Sequence, residues 1–152
     1  MMRGNLDVVA SASVLEAFGL RAVSPHAMEA AAHRLAALHA RRRAVSLAGA
    51  QAEEMDRTVL ASLHMQREID TCRAELVLDI DAWLHTALPA RRVSVVHTET
   101  VGTVIDRMAL LWSGTSGDEH ATERRRRLGE LADGLDDLLA DLADGRRRQP
   151  GW

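Results

Sequence analysis

The sequence predicts an all-α fold, an antiparallel helical bundle of four to five helices with one long central helix. Three observations lead there. Of the 152 residues, 47% are hydrophobic but only 3% aromatic, with no Tyr and a single Phe, so the core has to be aliphatic. Strands favour β-branched and aromatic side chains, which argues against a sheet protein. Residues 51–88 contain neither Pro nor Gly and repeat apolar residues three and four apart, the period of a helix. Leu128, Leu131, Leu135, Leu138 and Leu142 are spaced 3, 4, 3 and 4, a narrow seam of the kind that helices use to pack on helices. A chain of this length suits one domain with a real core. Its expected organisation is an N-terminal helix or arm over 1–20, a helical bundle over 24–145 and a disordered tail over 146–152.

The elements follow in order. Leu6, Val9, Ala10, Val14 and Phe18 form a weak helical stripe that Gly19 would end. Ser24-Pro25 is a start signal, an N-cap hydroxyl followed by proline at the first helical position. Behind it Met28, Ala31, Ala32, Leu35 and Leu38 mark one face. After Arg41-Arg42-Arg43 this helix is expected to loosen around Val45 to Gly49, because glycine costs about 1 kcal/mol against alanine inside a helix. The long helix then runs from Gln51 to Leu88, on the order of 55 Å, with Met55, Val59, Leu63, Ile69, Cys72, Leu76, Ile80, Trp83 and Ala87 as its stripe. Pro89 closes it, and 91–96 reads as loop.

The next helix has Thr98 as its expected N-cap and Glu99 in its first turn, where a carboxylate complements the helix dipole. Its apolar side is Val101, Val104, Ile105, Met108, Leu111 and Trp112. A turn over 113–117 leads to Ser116 and Glu119, spaced as a capping box for the last helix. Gly145 ends that helix.

Charge and composition exclude several functions. All nineteen basic residues are Arg, so lysine Schiff-base chemistry is ruled out and anions fall to guanidinium, backbone or helix termini. A formal net charge of −3 lacks the basic footprint of a nucleic-acid binder. Arg124 to Arg127 point around most of a helix circumference, with Glu123 and Glu130 in reach, and read as a solvated face. Cys72 is the single cysteine and reads as a small core residue. The apolar runs are far below the roughly 20 residues that cross a bilayer, and no charged-then-apolar leader opens the sequence, so the expected location is cytoplasmic, with no membrane partner. Seven histidines include no H-x-x-x-H and no Glu-x-x-His spacing, so neither a metal site nor a cofactor is expected.

Chemistry is expected where the pattern breaks. Glu99, Gly102, Thr103 and Asp106 form a second stripe on the motif helix, since residues three, four and seven apart share a face. Arg73 lies one residue from the stripe of the long helix, and Asp81 flanks it beside Ile80. Arg73 and Arg107 are expected opposite Glu99 and Asp106, either around a small polar pocket or as structural ion pairs that fix helix register. His97, at the entrance of the motif helix, reads as a proton shuttle or ligand contact, or as a histidine bonding the loop backbone.

The stretch His97-x-Glu99-Thr100-x-Gly102-x-x-Ile105-Asp106-Arg107-Met108-x-Leu110-Leu111 resembles a bacterial family known as domain of unknown function 4254. That family carries a pattern like E-T-x-G-x-x-I-D-R-L, preceded by an Arg-Asn-Asp-Leu-Ile…Ile-Asp segment. Arg73, Leu76, Ile80 and Asp81 match the earlier segment, with Ala74 in place of Asn and Glu75 in place of Asp. The likeness runs from the Pro25 helix through Trp112. It implies where a pocket lies and carries no activity of its own.

The expected function is a small helical enzyme, or a catalytic subunit of a bacterial biosynthetic complex, acting on a polar anionic metabolite. Glu99 and Asp106 would share acid/base work, because paired carboxylates in a confined site push their pKa values apart. Arg73, Arg107, His97 and Thr103 would hold the substrate. Ring closure, isomerisation or elimination fits this equipment. The alternative is a non-catalytic partner protein, a homo- or hetero-oligomer component that docks through the Leu128 to Leu142 seam and stabilises a larger enzyme.

Overall fold

Helix α2 (Ala27–Ala50) climbs, α3 (Met55–Ala87) descends beside it, α4 (Val101–Ser113) climbs again and α5 (Ala121–Ala143) descends, with α1 (Ser11–Gly19) laid across α2, α4 and α5. These directions are read from a computed structural model, which describes residues 10–19, 26–50, 55–88, 95–115 and 119–151. Cross-helix pairs set them. Ser46 meets Gln66 and Arg42 meets Asp70, so α2 and α3 are antiparallel. Arg73 meets Asp106 while Asp81 meets Gly102, so α3 and α4 are antiparallel too. Among the described residues there is no strand, only one isolated parallel bridge between Val96 and Arg148. The fold is an all-α bundle with the 33-residue α3 as its long helix.

The core is aliphatic, as the composition requires. Val14, Leu35, Ile80, Leu84, Val101, Ile105, Met108 and Leu135 are almost wholly buried. Each such side chain contributes about 1.5–3 kcal/mol relative to an exposed one. Helix α4 touches all four other helices, and its expected apolar side is the one that packs, with Leu111 and Trp112 at the margin. Leu128, Leu135, Leu138 and Leu142 are buried and Leu131 packs against the same core. The leucine seam therefore serves its own bundle.

Several local expectations are corrected. Helix α2 does not loosen near Val45 but continues to Ala50. A Cβ on Gly49 would lie 3.2 Å from the Ser62 Oγ, so the glycine serves the approach of α3 rather than a break. On α3 the buried line is Ile69, Leu76, Ile80 and Leu84, and Arg73 completes its four- and three-residue spacing. Cys72, expected in the core, is exposed. Leu63 is exposed as well, because no described residue from 40 to 50 or 57 to 68 is buried. That part of the α2–α3 hairpin stands beyond the core.

The N-cap of α4 is Thr100, not Thr98, and its side chain accepts from Thr103 N. Glu99 consequently precedes the helix rather than lying in its first turn. Helix α5 starts at Ala121, and His120 makes no side-chain cap bond; of the expected capping box, Ser116 lies outside the described residues. The tail is not loose over its described part. Arg148 bonds both Val95 O and His97 N through its backbone, and Gln149 is fully buried. Its side-chain oxygen accepts from Val101 N, which gives the tail a partner that the sequence did not advertise. Leu6, Val9, Ser24-Pro25, 51–54, Pro89 and 91–94 lie outside the described residues.

Candidate functional site

A polar face running from the core to the surface is built by four α2 residues at one spacing. His39, Arg42, Arg43 and Ser46 fall at i, i+3, i+4 and i+7, the pattern that places side chains on a single helix face. All four line a cavity of about 460 Å³, whose far side is built by Leu110 on α4 and Arg124 on α5. Among its described lining residues none is Phe, Trp, Tyr, Asp or Glu.

His39 is the inner end of this face, only 2% exposed. Its Nε2 lies 2.9 Å from Asp106 Oδ1. Its Nδ1 is buried and has no hydrogen-bond partner among the described residues. Buried polar atoms are nearly always paired, so an orphan ring nitrogen in a residue of the cavity lining calls for an explanation.

Asp106 is held from the other side by Arg73. The guanidinium donates from Nε to Oδ1 at 3.1 Å and from Nη2 to Oδ2 at 2.6 Å, a two-pronged grip. Arg73 also donates to Asp70 at 2.8 Å, and Asp70 meets Arg42 at 3.1 Å. A continuous chain thus runs His39–Asp106–Arg73–Asp70–Arg42 and returns to the cavity. Burial raises the Asp106 pKa, but the hydrogen bonds from His39 and Arg73 outweigh it, and the carboxyl ends below its ordinary value. The Arg73 pKa is raised, chiefly by its hydrogen bonds to Asp106, against the opposing pull of burial.

Of the residues expected to share one pocket, the structure joins Arg73 and Asp106 and separates the others. Glu99 and Arg107 form their own pair, with Nη1 2.7 Å from each carboxylate oxygen and both side chains more than a third exposed. His97 Nδ1 sits 3.1 Å from Glu99 N and 2.8 Å from Glu99 O, so it bonds the loop backbone. Thr103 shares its hydroxyl with Thr100 at 2.9 Å. Asp81 accepts from Gly102 N at 2.8 Å. A Cβ on Gly102 would sit 2.5 Å from Val77 O, so only glycine lets α4 lie this close to α3.

The first turn of α4 has no N–H left for a ligand at its first three positions. Val101 N donates to Gln149, Gly102 N to Asp81 and Thr103 N to Thr100. Helix starts are ready-made anion sites, but here three different segments of the chain occupy that role.

Sequence reasoning missed His39, Arg42, Arg43 and Arg124. The first three carried a weak signal, a polar stripe at helical spacing directly continuing the Met28 to Leu35 core face. Arg124 looked like one of four solvated arginines. Arg126 and Arg127 do behave so, pairing with Glu123 at 2.8 and 2.7 Å and holding its carboxyl down at about 2. Arg124 instead turns inward and donates from Nη1 to Gly114 O at 2.8 Å. Among the described residues no group of three or more His, Cys, Asp or Glu is placed to hold a metal ion, and no helix is long and apolar enough to cross a membrane.

No curated protein and no solved structure matches this chain. A family model described as "Protein of unknown function (DUF4254)" matches residues 29–125. The match takes in His39, Arg73, Asp106 and Arg124, all of α3 and α4, nearly all of α2 and the first turn of α5, and well over half of the sequence. The chain belongs to the DUF4254 family.

Proposed function

We propose that this protein is a small acid–base catalyst for an anionic metabolite, with His39 as the group that moves the proton. The observation that carries this reading is the orphan Nδ1 of a buried histidine, a residue of the cavity lining, whose Nε2 is held by Asp106. A carboxylate on one ring nitrogen fixes the tautomer, leaves the other nitrogen as the base, and stabilises the imidazolium formed when a proton arrives. Arg73 keeps that carboxylate ionised and in place. Asp106 is then a positioning residue, not the base.

The step is a proton transfer. A C–H or O–H proton of the substrate passes to His39 Nδ1, and the bonding electrons stay on the substrate. Return of the proton to another substrate atom is an isomerisation; its delivery to a departing group is an elimination. Glu99, paired with Arg107 at the surface, has no part in this step.

The test is solvent exchange. Small carboxylated and phosphorylated metabolites are incubated with the protein in deuterium oxide and followed by mass spectrometry. Incorporation by the parent, lost in His39→Gln, is the expected result. Asp106→Asn should lower the rate while leaving the concentration for half-maximal rate nearly unchanged. Absence of exchange across the panel, or exchange indifferent to His39→Gln, would overturn the reading.

A further inference from the structure

We infer that the mouth of this cavity is a phosphoryl-binding site, and that the metabolite is a small non-aromatic phosphate ester. The inference uses the cavity of the acid–base reading and names what enters it. Three guanidiniums, Arg42 and Arg43 from α2 and Arg124 from α5, reach the lining together with the Ser46 hydroxyl. A planar carboxylate is satisfied by one guanidinium fork. Three forks from two helices, plus a hydroxyl, suit a tetrahedral group that presents several oxygens in different directions.

Each of the three arginines has a protein partner. Arg43 Nη1 donates to Ser113 O at 3.4 Å, and Arg124 Nη1 to Gly114 O at 2.8 Å. Both are therefore anchored on the last carbonyls of α4, where a cation also meets the negative end of the helix dipole. Arg42 is anchored by Asp70 at 3.1 Å. Gly114 makes the Arg124 position possible, since a Cβ there would come within 2.8 Å of the arginine Cδ. The second, independent mark of a ligand is the buried Nδ1 of His39, an atom without a partner among the described residues in a residue of the same lining.

The rest of the lining limits the organic part. Leu110 stands at the rim, half exposed, and with Leu111 offers aliphatic rather than stacking contact. A nucleobase needs an aromatic or guanidinium platform; here the guanidiniums are engaged by Ser113 O, Gly114 O and Asp70, and the one aromatic ring of the lining, His39, is buried. A volume of about 460 Å³ admits a short phosphorylated chain or ring. With the phosphoryl group at the arginines, its carbon skeleton lies toward His39.

The probe is inorganic phosphate, titrated calorimetrically into the full-length protein at pH 8, where phosphate is chiefly the dianion. Saturable binding is expected, with sulfate competing and acetate at least tenfold weaker. Arg43→Ala should weaken binding at least tenfold. So should Gly114→Ala, whose new methyl displaces a flexible side-chain end and so leaves the melting temperature without phosphate within a few degrees of the parent. Arg124→Gln replaces it if that variant fails to fold. Acetate binding as tightly as phosphate, no saturation, or unchanged affinity in Arg43→Ala and Arg124→Gln overturns the inference. His39→Gln should still bind phosphate. Phosphate binding without deuterium exchange of any ester in the panel would therefore end the acid–base reading and leave the phosphoryl site standing.

Discussion

Arg73 and Asp106 are 33 positions apart in sequence and meet fork to fork, Nε on Oδ1 and Nη2 on Oδ2, with 20% and 16% of their side chains exposed. The arginine occupies a place in the buried line of α3 that an apolar residue would otherwise fill. Removing one partner strands the other, and that asymmetry is what makes a buried pair costly to break even where its net contribution is small.

Asp106→Ala should therefore destabilise the fold by about 3 kcal/mol, the low end for a buried pair because some solvent reaches this one. That corresponds to a melting temperature lower by roughly 6–12 °C for a chain of this size. Glu99→Ala removes the partner of Arg107 at the surface, where exposed pairs contribute about 0.2–1 kcal/mol, and should melt within a few degrees of the parent. Differential scanning calorimetry of the two variants separates a scaffold pair from a surface pair; equal losses would contradict the geometry.

Acid should find the same carboxylate. The pKa of Asp106 in the folded chain lies below its ordinary value of 3.8. A depressed folded pKa means that its contribution to stability is fully present above the unfolded value and is lost as pH falls through the folded one. The parent should thus lose stability relative to Asp106→Asn as pH is lowered from about 5 to 2. Urea midpoints for both proteins across that window give the answer. Parallel curves would show that the pair does not tie folding to protonation.

Gly102→Ala should be the most damaging single methyl added to α4. Its Cβ would meet a backbone oxygen at 2.5 Å, and a backbone oxygen cannot swing aside as a side chain can. Forcing the two helices apart costs about 1–3 kcal/mol in overpacking and pulls Gly102 N from Asp81. A melting temperature within a degree of the parent would refute the close approach.

Gln149→Leu keeps the volume of a buried side chain while removing the acceptor for Val101 N. An unmatched buried N–H costs about 1–3 kcal/mol. The variant should melt several degrees lower, whereas Arg147→Ala, at the surface nearby, should not. Equal melting of both would mean that the 146–151 segment adds nothing to the bundle.

The helices were legible in the sequence because their signals are local. Apolar spacing fixed α4 and α5 to within a few residues, and the contact of Arg73 with Asp106 followed from two stripes facing each other. What escaped was non-local. Nothing near Gln149 in sequence says that its oxygen completes a helix start 48 residues away. Cys72 and Arg73 are neighbours about 100° apart on a helix, and hydropathy favoured the cysteine. The ion network chose the arginine, because Asp106 and Asp70 reward a guanidinium there more than a core rewards a thiol. Glu99 and Asp106 looked like partners on one stripe until the helix began at Thr100, which left Glu99 in the preceding turn. His39 sits in a run of alanines and arginines, and its one local signal, the spacing to Arg42, Arg43 and Ser46, is too weak to have singled it out.

The three plugged amides at the start of α4 make a natural set of reporters. In hydrogen–deuterium exchange an amide proton is released only when its own partner lets go. The Val101 amide should therefore clock the undocking of the segment that carries Gln149, and the Gly102 amide the parting of α4 from α3. The Thr103 amide, held by a residue of its own turn, should clock local fraying alone. Three adjacent protons thus time three openings of different reach, read side by side in one spectrum.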